Sequence, residues 1–259
     1  MRNPEKRRLD QLLVARGLAQ SRERAQALIL AGRVLVDEQK VEKPGHAVAE
    51  SAAVRLLGED LRYVGRGGLK LEAALRYWSI DLSGRFCLDV GASTGGFTDC
   101  MLQHGAGRVL AVDTGYGQIA EKLRRDPRVS LMERTNARKL VPGELPAGIE
   151  FVAVDVSFIS ATLVLPPVIT AIGGGPLEAL VLVKPQFEAG RESVGKGGIV
   201  RDPAAHSAAV ERVRQCVEGL GATDIDLIDS PILGAEGNRE FLMHFRIGPA
   251  ALGTQNPVH

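Results

Sequence analysis

The chain has 259 residues, of which 45% are hydrophobic and 24% charged, with a formal net charge of +1. That composition excludes a disordered or fibrous chain and allows one large core beside a small accessory domain. Three cysteines without C-x-x-C spacing and five histidines without ligand spacing exclude a disulfide framework and a zinc site, so no metal is expected and a reducing, cytoplasmic setting fits.

The amino-terminal MRNPEKRRLDQLL has positive charge but no apolar h-region, so no signal peptide is read. Leu9, Leu12 and Leu13 recur at helical spacing until Gly17 stops the run. Ser21 is an N-cap for a second helix, SRERAQALILAG, which Gly32 ends. RVLVD, KV and the Pro44-Gly45 turn then predict a small sheet. Between Met1 and Arg33 eight basic residues stand against three acidic ones. The excess favours a polyanionic partner, with a solvated helix face as the alternative on charge alone.

From residue 62 onward apolar runs alternate with helical stretches. RFCLDVG, RVLAVD, RVSLME, EFVAVDV, ALVLVK, DIDLID and EFLMHFRI are the strand candidates. Seven strands, the early ones continuously apolar, predict an α/β, mostly parallel, doubly wound sheet, and the closeness of the last two predicts an antiparallel edge pair. The uncharged stretch Ser157 to Leu177 is interrupted by Pro166, Pro167, Pro176 and three glycines, so it reads as loop and helix rather than a membrane span.

Four pieces of this part carry chemistry. LDVGASTGGFTDC is a strand, a glycine-rich turn and a helix start, which exposes free N–H groups to a nucleotide-like cofactor. It ends in no G-K-[ST], and Ser93 stands where a dinucleotide fingerprint needs its second glycine. Asp113, at the carboxyl end of the next strand, is positioned to accept both hydroxyls of a ribose. Asp155 and Lys184 also close strands, so both face the same crevice. A lysine at that rim loses hydration of its charge, which suits a group that must take a proton. Arg66 is a candidate phosphate contact, and EAGRESVGKGGIVRDP, with Lys196 among its basic residues, reads as a lid, an RNA guide or an ordinary connection.

Arg8-Leu9-Asp10, Ser21-Arg22 with Ala25, and Gly32-Arg33-Val34-Leu35-Val36 resemble the S-four-type RNA-binding domain; where that pattern has a turn glycine this chain has Asp37-Glu38-Gln39-Lys40. Lys70, Asp155, Lys184 and Glu240 occur in the order of the FtsJ-like 2′-O-ribose methyltransferase tetrad. With GASTGGFTD, VDVSFIS, KPQFE, GKGGIVRD and GAEGNREFL in fixed order, the chain resembles the TlyA family, whose members often carry a haemolysin label.

The resemblance implies a Rossmann-like class I methyltransferase fold of seven strands behind a small α+β RNA-binding domain. The expected boundaries are 1–57 for the RNA-binding domain, 58–64 for a linker, 65–248 for the methyltransferase and 249–259 for a flexible tail. It implies S-adenosylmethionine-dependent 2′-O-methylation of cytidine in 23S or 16S ribosomal RNA, with ribosomal RNA or subunits as partners and no membrane. Lys184 is assigned the base role, with Lys70, Asp155 and Glu240 in support. The cofactor set is Asp89, Gly91, Ser93, Thr94, Gly95, Gly96, Phe97, Thr98, Asp113 and Asn136; the RNA set is Arg8, Arg22, Arg24, Arg33, Arg66 and Lys196. The alternatives are a base-directed RNA methyltransferase, a noncatalytic RNA-binding or assembly factor, and a membrane-active haemolysin.

Overall fold

The computed structural model describes residues 6–19, 21–57, 62–190, 193–195, 197–234 and 237–248. The chain divides into two units, Met1–Leu61 and Arg62–His259.

In the first unit, α1 (Leu9–Ala15) and α2 (Arg22–Leu30) bury the leucines read from the sequence. Leu9, Leu12 and Leu13 meet Leu28, Ile29, Val34 and Val48 in one apolar cluster. Ser21 caps α2 by accepting the Arg24 N–H at 3.2 Å. β1 (Lys6–Arg8) pairs antiparallel with β4 (Ala47–Ala49). β2 (Val34–Val36) lies between β3 (Gln39–Lys40) and β5 (Val54–Leu56).

The β2–β3 hairpin turns without glycine. Asp37 and Glu38 take φ of 48° and 62°, the paired positive values that two-residue hairpin turns need. That conformation costs about 1 kcal/mol in a residue with a Cβ, and two side-chain contacts hold it. Asp37 Oδ1 accepts the Ala53 N–H at 2.9 Å, and the Arg55 guanidinium forks both Glu38 oxygens at 2.7 and 2.6 Å.

The second unit carries a seven-stranded sheet in the order β11-β12-β10-β9-β6-β7-β8. Its strands are β6 (Phe86–Val90), β7 (Arg108–Val112), β8 (Val129–Met132), β9 (Phe151–Val154), β10 (Leu177–Val183), β11 (Ala222–Asp229) and β12 (Phe241–Ile247). The sequence expectation of a mostly parallel sheet holds, with one refinement. β12 runs antiparallel to both β10 and β11 and is inserted between them, so β11 alone forms that edge.

Alternation along each strand feeds two cores, because successive side chains leave opposite faces. Leu88, Val90, Val181 and Val183 pack with α6 (Leu165–Ile172) and α8 (Pro203–Gly219) on one face. Cys87, Leu180 and Leu182 pack with α3 (Gly67–Tyr77) and α4 (Gly96–Gln103) on the other. The linker expected over 58–64 is shorter at its far end. Tyr63 is 1% exposed in the second core and the Val64 N–H donates to Asp99 at 2.8 Å. Residues 58–61 and the 249–259 tail lie outside the described residues.

At the amino end of β10 sits a buried ionic cluster. Glu178 Oε1 lies 2.9 Å from His244 Nε2 and 3.1 Å from Arg246 Nη2, while Oε2 accepts from Arg85 at 2.6 Å. Trp78 stacks on the His244 ring at 5.1 Å and donates its indole N–H to Asp226 at 2.8 Å.

Candidate active site

The chain order of the sheet reverses between β9 and β6, and open α/β sheets bind ligands beyond the carboxyl ends of the strands at such a point. β6 is followed by Gly91, with φ of 90°. A Cβ there would stand 2.3 Å from the Asp155 carbonyl oxygen, so only glycine lets this turn lie against β9. Beyond it, the Ser93 N–H donates to Asp113 Oδ2 at 2.8 Å and the Gly115 N–H to Oδ1 at 2.7 Å. Asp113 thus fixes the loops on either side while each oxygen keeps a lone pair.

A cleft of about 460 Å³ opens here, lined by Gly91, Ser93, Asp113, Asn136, Asp155 and Ser157 among others. A smaller recess of about 130 Å³ continues past Thr94, Gly96, Phe97 and the start of α3, and Asp155 borders both. Three expected cofactor residues lie beneath this lining. Asp89 is fully buried and accepts from Thr98 Oγ1 at 2.6 Å, while its Oδ1 has no hydrogen-bond partner among the described residues. Burial pushes the Asp89 carboxyl up to about 7, against the pull of the Thr98 hydrogen bond and with a push from Asp155. Gly95 faces the Leu123 and Ile119 side chains, so its conformational freedom shapes the turn.

The tetrad resolves into two ion pairs. Lys184 follows the last buried residue of β10, and Pro185 opens the short helix α7 (Pro185–Glu188) at a position where a missing N–H is harmless. The ε-amine of Lys184 donates to Ser157 Oγ at 2.8 Å and lies 2.6 Å from Asp155 Oδ1. This second contact is an ion pair, and among the described residues no directional hydrogen bond to Asp155 Oδ1 is formed. Lys70, in α3, makes a short ion pair with Glu240, and both side chains are buried. α3 begins beside the first pair, since a Cβ on Gly67 would touch Asp155 Oδ2 at 3.7 Å.

The expected RNA set scatters. Asp10 is fully buried and draws in Arg8 through Nε and Nη2, Arg22 through Nε and Gln26 through Nε2, each at 3.0 Å. These contacts, led by that with Arg8, hold the Asp10 carboxyl well below the usual carboxylate range. Arg8 and Arg22 are therefore structural donors to Asp10, whatever else they bind. Arg33 donates from Nε to the Leu57 carbonyl at 2.9 Å. Arg24 lies on the first turn of α2. Arg66 is exposed and donates to the Leu233 carbonyl at 2.8 Å. Lys196 lies outside the described residues. Sequence reasoning missed Ser157 and the cleft-lining Gln118 and Thr135. For Ser157 the available signal was its place two residues after Asp155.

Residues 63–247 match the model of the FtsJ-like methyltransferase family. The chain belongs to this family. Residues 7–54 match the S4 domain. The chain is 42% identical to the 16S/23S rRNA (cytidine-2′-O)-methyltransferase TlyA of Mycobacterium tuberculosis, over 97% of this chain and 96% of that one. It is 40% identical to Hemolysin A of Brachyspira hyodysenteriae, over 93% and 100%. A solved structure from Streptococcus thermophilus that carries a hemolysin name matches at 43% identity with a TM-score of 0.71, covering 95% of this chain and 89% of that one. The fold is accordingly the Rossmann-like methyltransferase sheet, with an S4 domain at the amino-terminal end.

Proposed function

We propose that the protein transfers a methyl group from S-adenosylmethionine to the 2′-hydroxyl of a cytidine in ribosomal RNA, of the large subunit, the small subunit or both, in the cytoplasm, with the S4 domain holding the RNA. The observation that carries this reading is the contact of Lys184 with two residues that line the cleft. Lys184 follows the buried strand β10, and its amine meets Asp155 and Ser157, both of which border that space.

The residues present fit the donor. The cleft is large enough for an adenosine, and Gly91, Asp113 and Asn136 line it. Asp155 borders it, and beneath it lies Asp89 Oδ1, an acceptor without a hydrogen bond among the described residues. S-adenosylmethionine supplies a methyl already activated by a sulfonium sulfur. What remains for the protein is orientation of the 2′-hydroxyl and acceptance of its proton. In this reading Lys184 takes that proton, Asp155 balances the resulting charge, and the Lys70–Glu240 pair holds α3, whose first residues line the neighbouring recess.

The same site disfavours base-directed transfer through a cysteine. Cys87 and Cys100 are fully buried, and burial pushes both thiols up to about 12. As for the hemolysin names of two relatives, no helix among the described residues is long and apolar enough to cross a membrane.

The test is transfer of labelled methyl from S-adenosylmethionine to small subunits, large subunits and naked ribosomal RNA. Label is expected on a cytidine 2′ oxygen and is expected to vanish with Lys184→Ala while S-adenosylmethionine still binds. Label on a base, or retained in that variant, overturns the reading.

A further inference from the structure

Ser157 lies outside the four charged residues, yet it makes the directional contact to Lys184. An amine nitrogen has one bond to carbon and three other tetrahedral positions. The Ser157 hydroxyl takes one of them at 2.8 Å. Asp155 Oδ1 lies 2.6 Å away as the counter-charge. Coulomb attraction depends mainly on distance. A hydrogen bond is directional, so the Ser157 contact sets the rotation of the amine about its last carbon. Ser157 can accept an N–H from the protonated and the neutral amine alike, so the third position stays pointed the same way through proton transfer.

The loop that presents Ser157 is locked to the helix that follows Lys184. Glu188, on α7 and 2% exposed, accepts Ser160 Oγ at 2.5 Å and the Ala161 N–H at 2.7 Å. Arg212 from α8 donates to the Glu188 carbonyl at 2.7 Å. Phe158, next to Ser157, takes φ of 66° and rests on the Phe187 ring at 5.4 Å. A left-handed aromatic residue persists only where its surroundings hold it. Lys184 and Ser157 thus belong to one braced unit, although 27 residues separate them.

We propose that Ser157 is a positioning residue for the methyl transfer: its hydroxyl orients the Lys184 amine toward the ribose hydroxyl, and Glu188 fixes the loop that holds it there. The proposal rests on the function proposed above. Because Ser157 is exposed, Ser157→Ala is expected to fold normally.

The experiment compares wild type, Ser157→Ala, Ser157→Thr and Lys184→Ala. Removing a hydrogen bond to a charged group lowers kcat about 10- to 100-fold in Ser157→Ala, with KM for RNA and the Kd for S-adenosylmethionine unchanged. Ser157→Thr, which keeps the hydroxyl, recovers most of the loss. Independently of turnover, the Lys184 Nζ–H signal in a nitrogen-15 correlation spectrum, visible while a hydrogen bond slows exchange, weakens in Ser157→Ala. An unchanged kcat, a loss that Ser157→Thr does not recover, or an unchanged Lys184 signal overturns the proposal. An active Lys184→Ala, or a wild type that methylates no RNA, instead overturns the assigned function, and the spectrum still decides the role of Ser157.

Discussion

Glu178 lies near the start of β10, the strand that leads into Lys184, and replacing it by glutamine tests how that strand is anchored. The hydrogen bond from His244, followed by those from Arg85 and Arg246, holds the buried Glu178 carboxyl at about 2 instead of 4.5, against the opposing effect of burial. A depressed carboxyl contributes stability above its unfolded value and loses it as pH falls toward the folded one. The gap corresponds to about 3 kcal/mol at neutral pH, of which about 2 kcal/mol is gone by pH 3. Trp78 is the sole tryptophan and stacks on His244, so its fluorescence reports on this cluster. Urea unfolding followed by that signal should place Glu178→Gln about 3 kcal/mol below wild type at pH 7 and about 1 kcal/mol below at pH 3. A gap that is the same at both pH values, or smaller than about 1 kcal/mol at pH 7, refutes the reasoning.

Glu240→Ala leaves the buried Lys70 ammonium without its carboxylate and should cost about 3 kcal/mol in chemical denaturation. Adding Lys70→Met should restore most of that stability while methyl transfer stays lost. Asp89→Asn should raise the melting temperature of the ligand-free protein more at pH 8 than at pH 5. The reason is that a carboxyl lifted from 3.8 to about 7 binds its proton more tightly folded than unfolded, so stability falls as pH rises between those values. Asp10→Asn weakens charge-assisted bonds to Arg8 and Arg22. Amide exchange in α1 and α2 should quicken about 30-fold, as expected for about 2 kcal/mol, with the second unit unaffected.

The sheet was legible because β6, β9 and β10 are buried on both faces and therefore read as apolar runs, interrupted only by Asp89 and Glu178. Ser21 and Gly91 were legible too, since a cap and a close approach of backbone each demand particular residues. β1, β4 and β5 were not. Three residues each give no period, and their pairing with distant segments decides their form. Composition ranked the arginines of the first unit as RNA contacts, but one buried aspartate, invisible to any count of charge, recruits Arg8 and Arg22. The sequence supplied two lysines and two carboxylates without saying which belonged together. That pairing depends on β12 running against its neighbours, which brings Glu240, just ahead of the strand, to the rim where the parallel strands finish.

The reversed strand also imposes an order in time. Lys70 and Glu240 are 170 residues apart, and synthesis delivers the lysine first. Every parallel strand of the sheet can be made and paired while Lys70 still lacks its carboxylate. Of the two ion pairs, Lys184–Asp155 needs only β9, β10 and the residues that follow them, whereas Lys70–Glu240 also needs the segment that leads into β12, so the two halves of the tetrad are assembled one after the other.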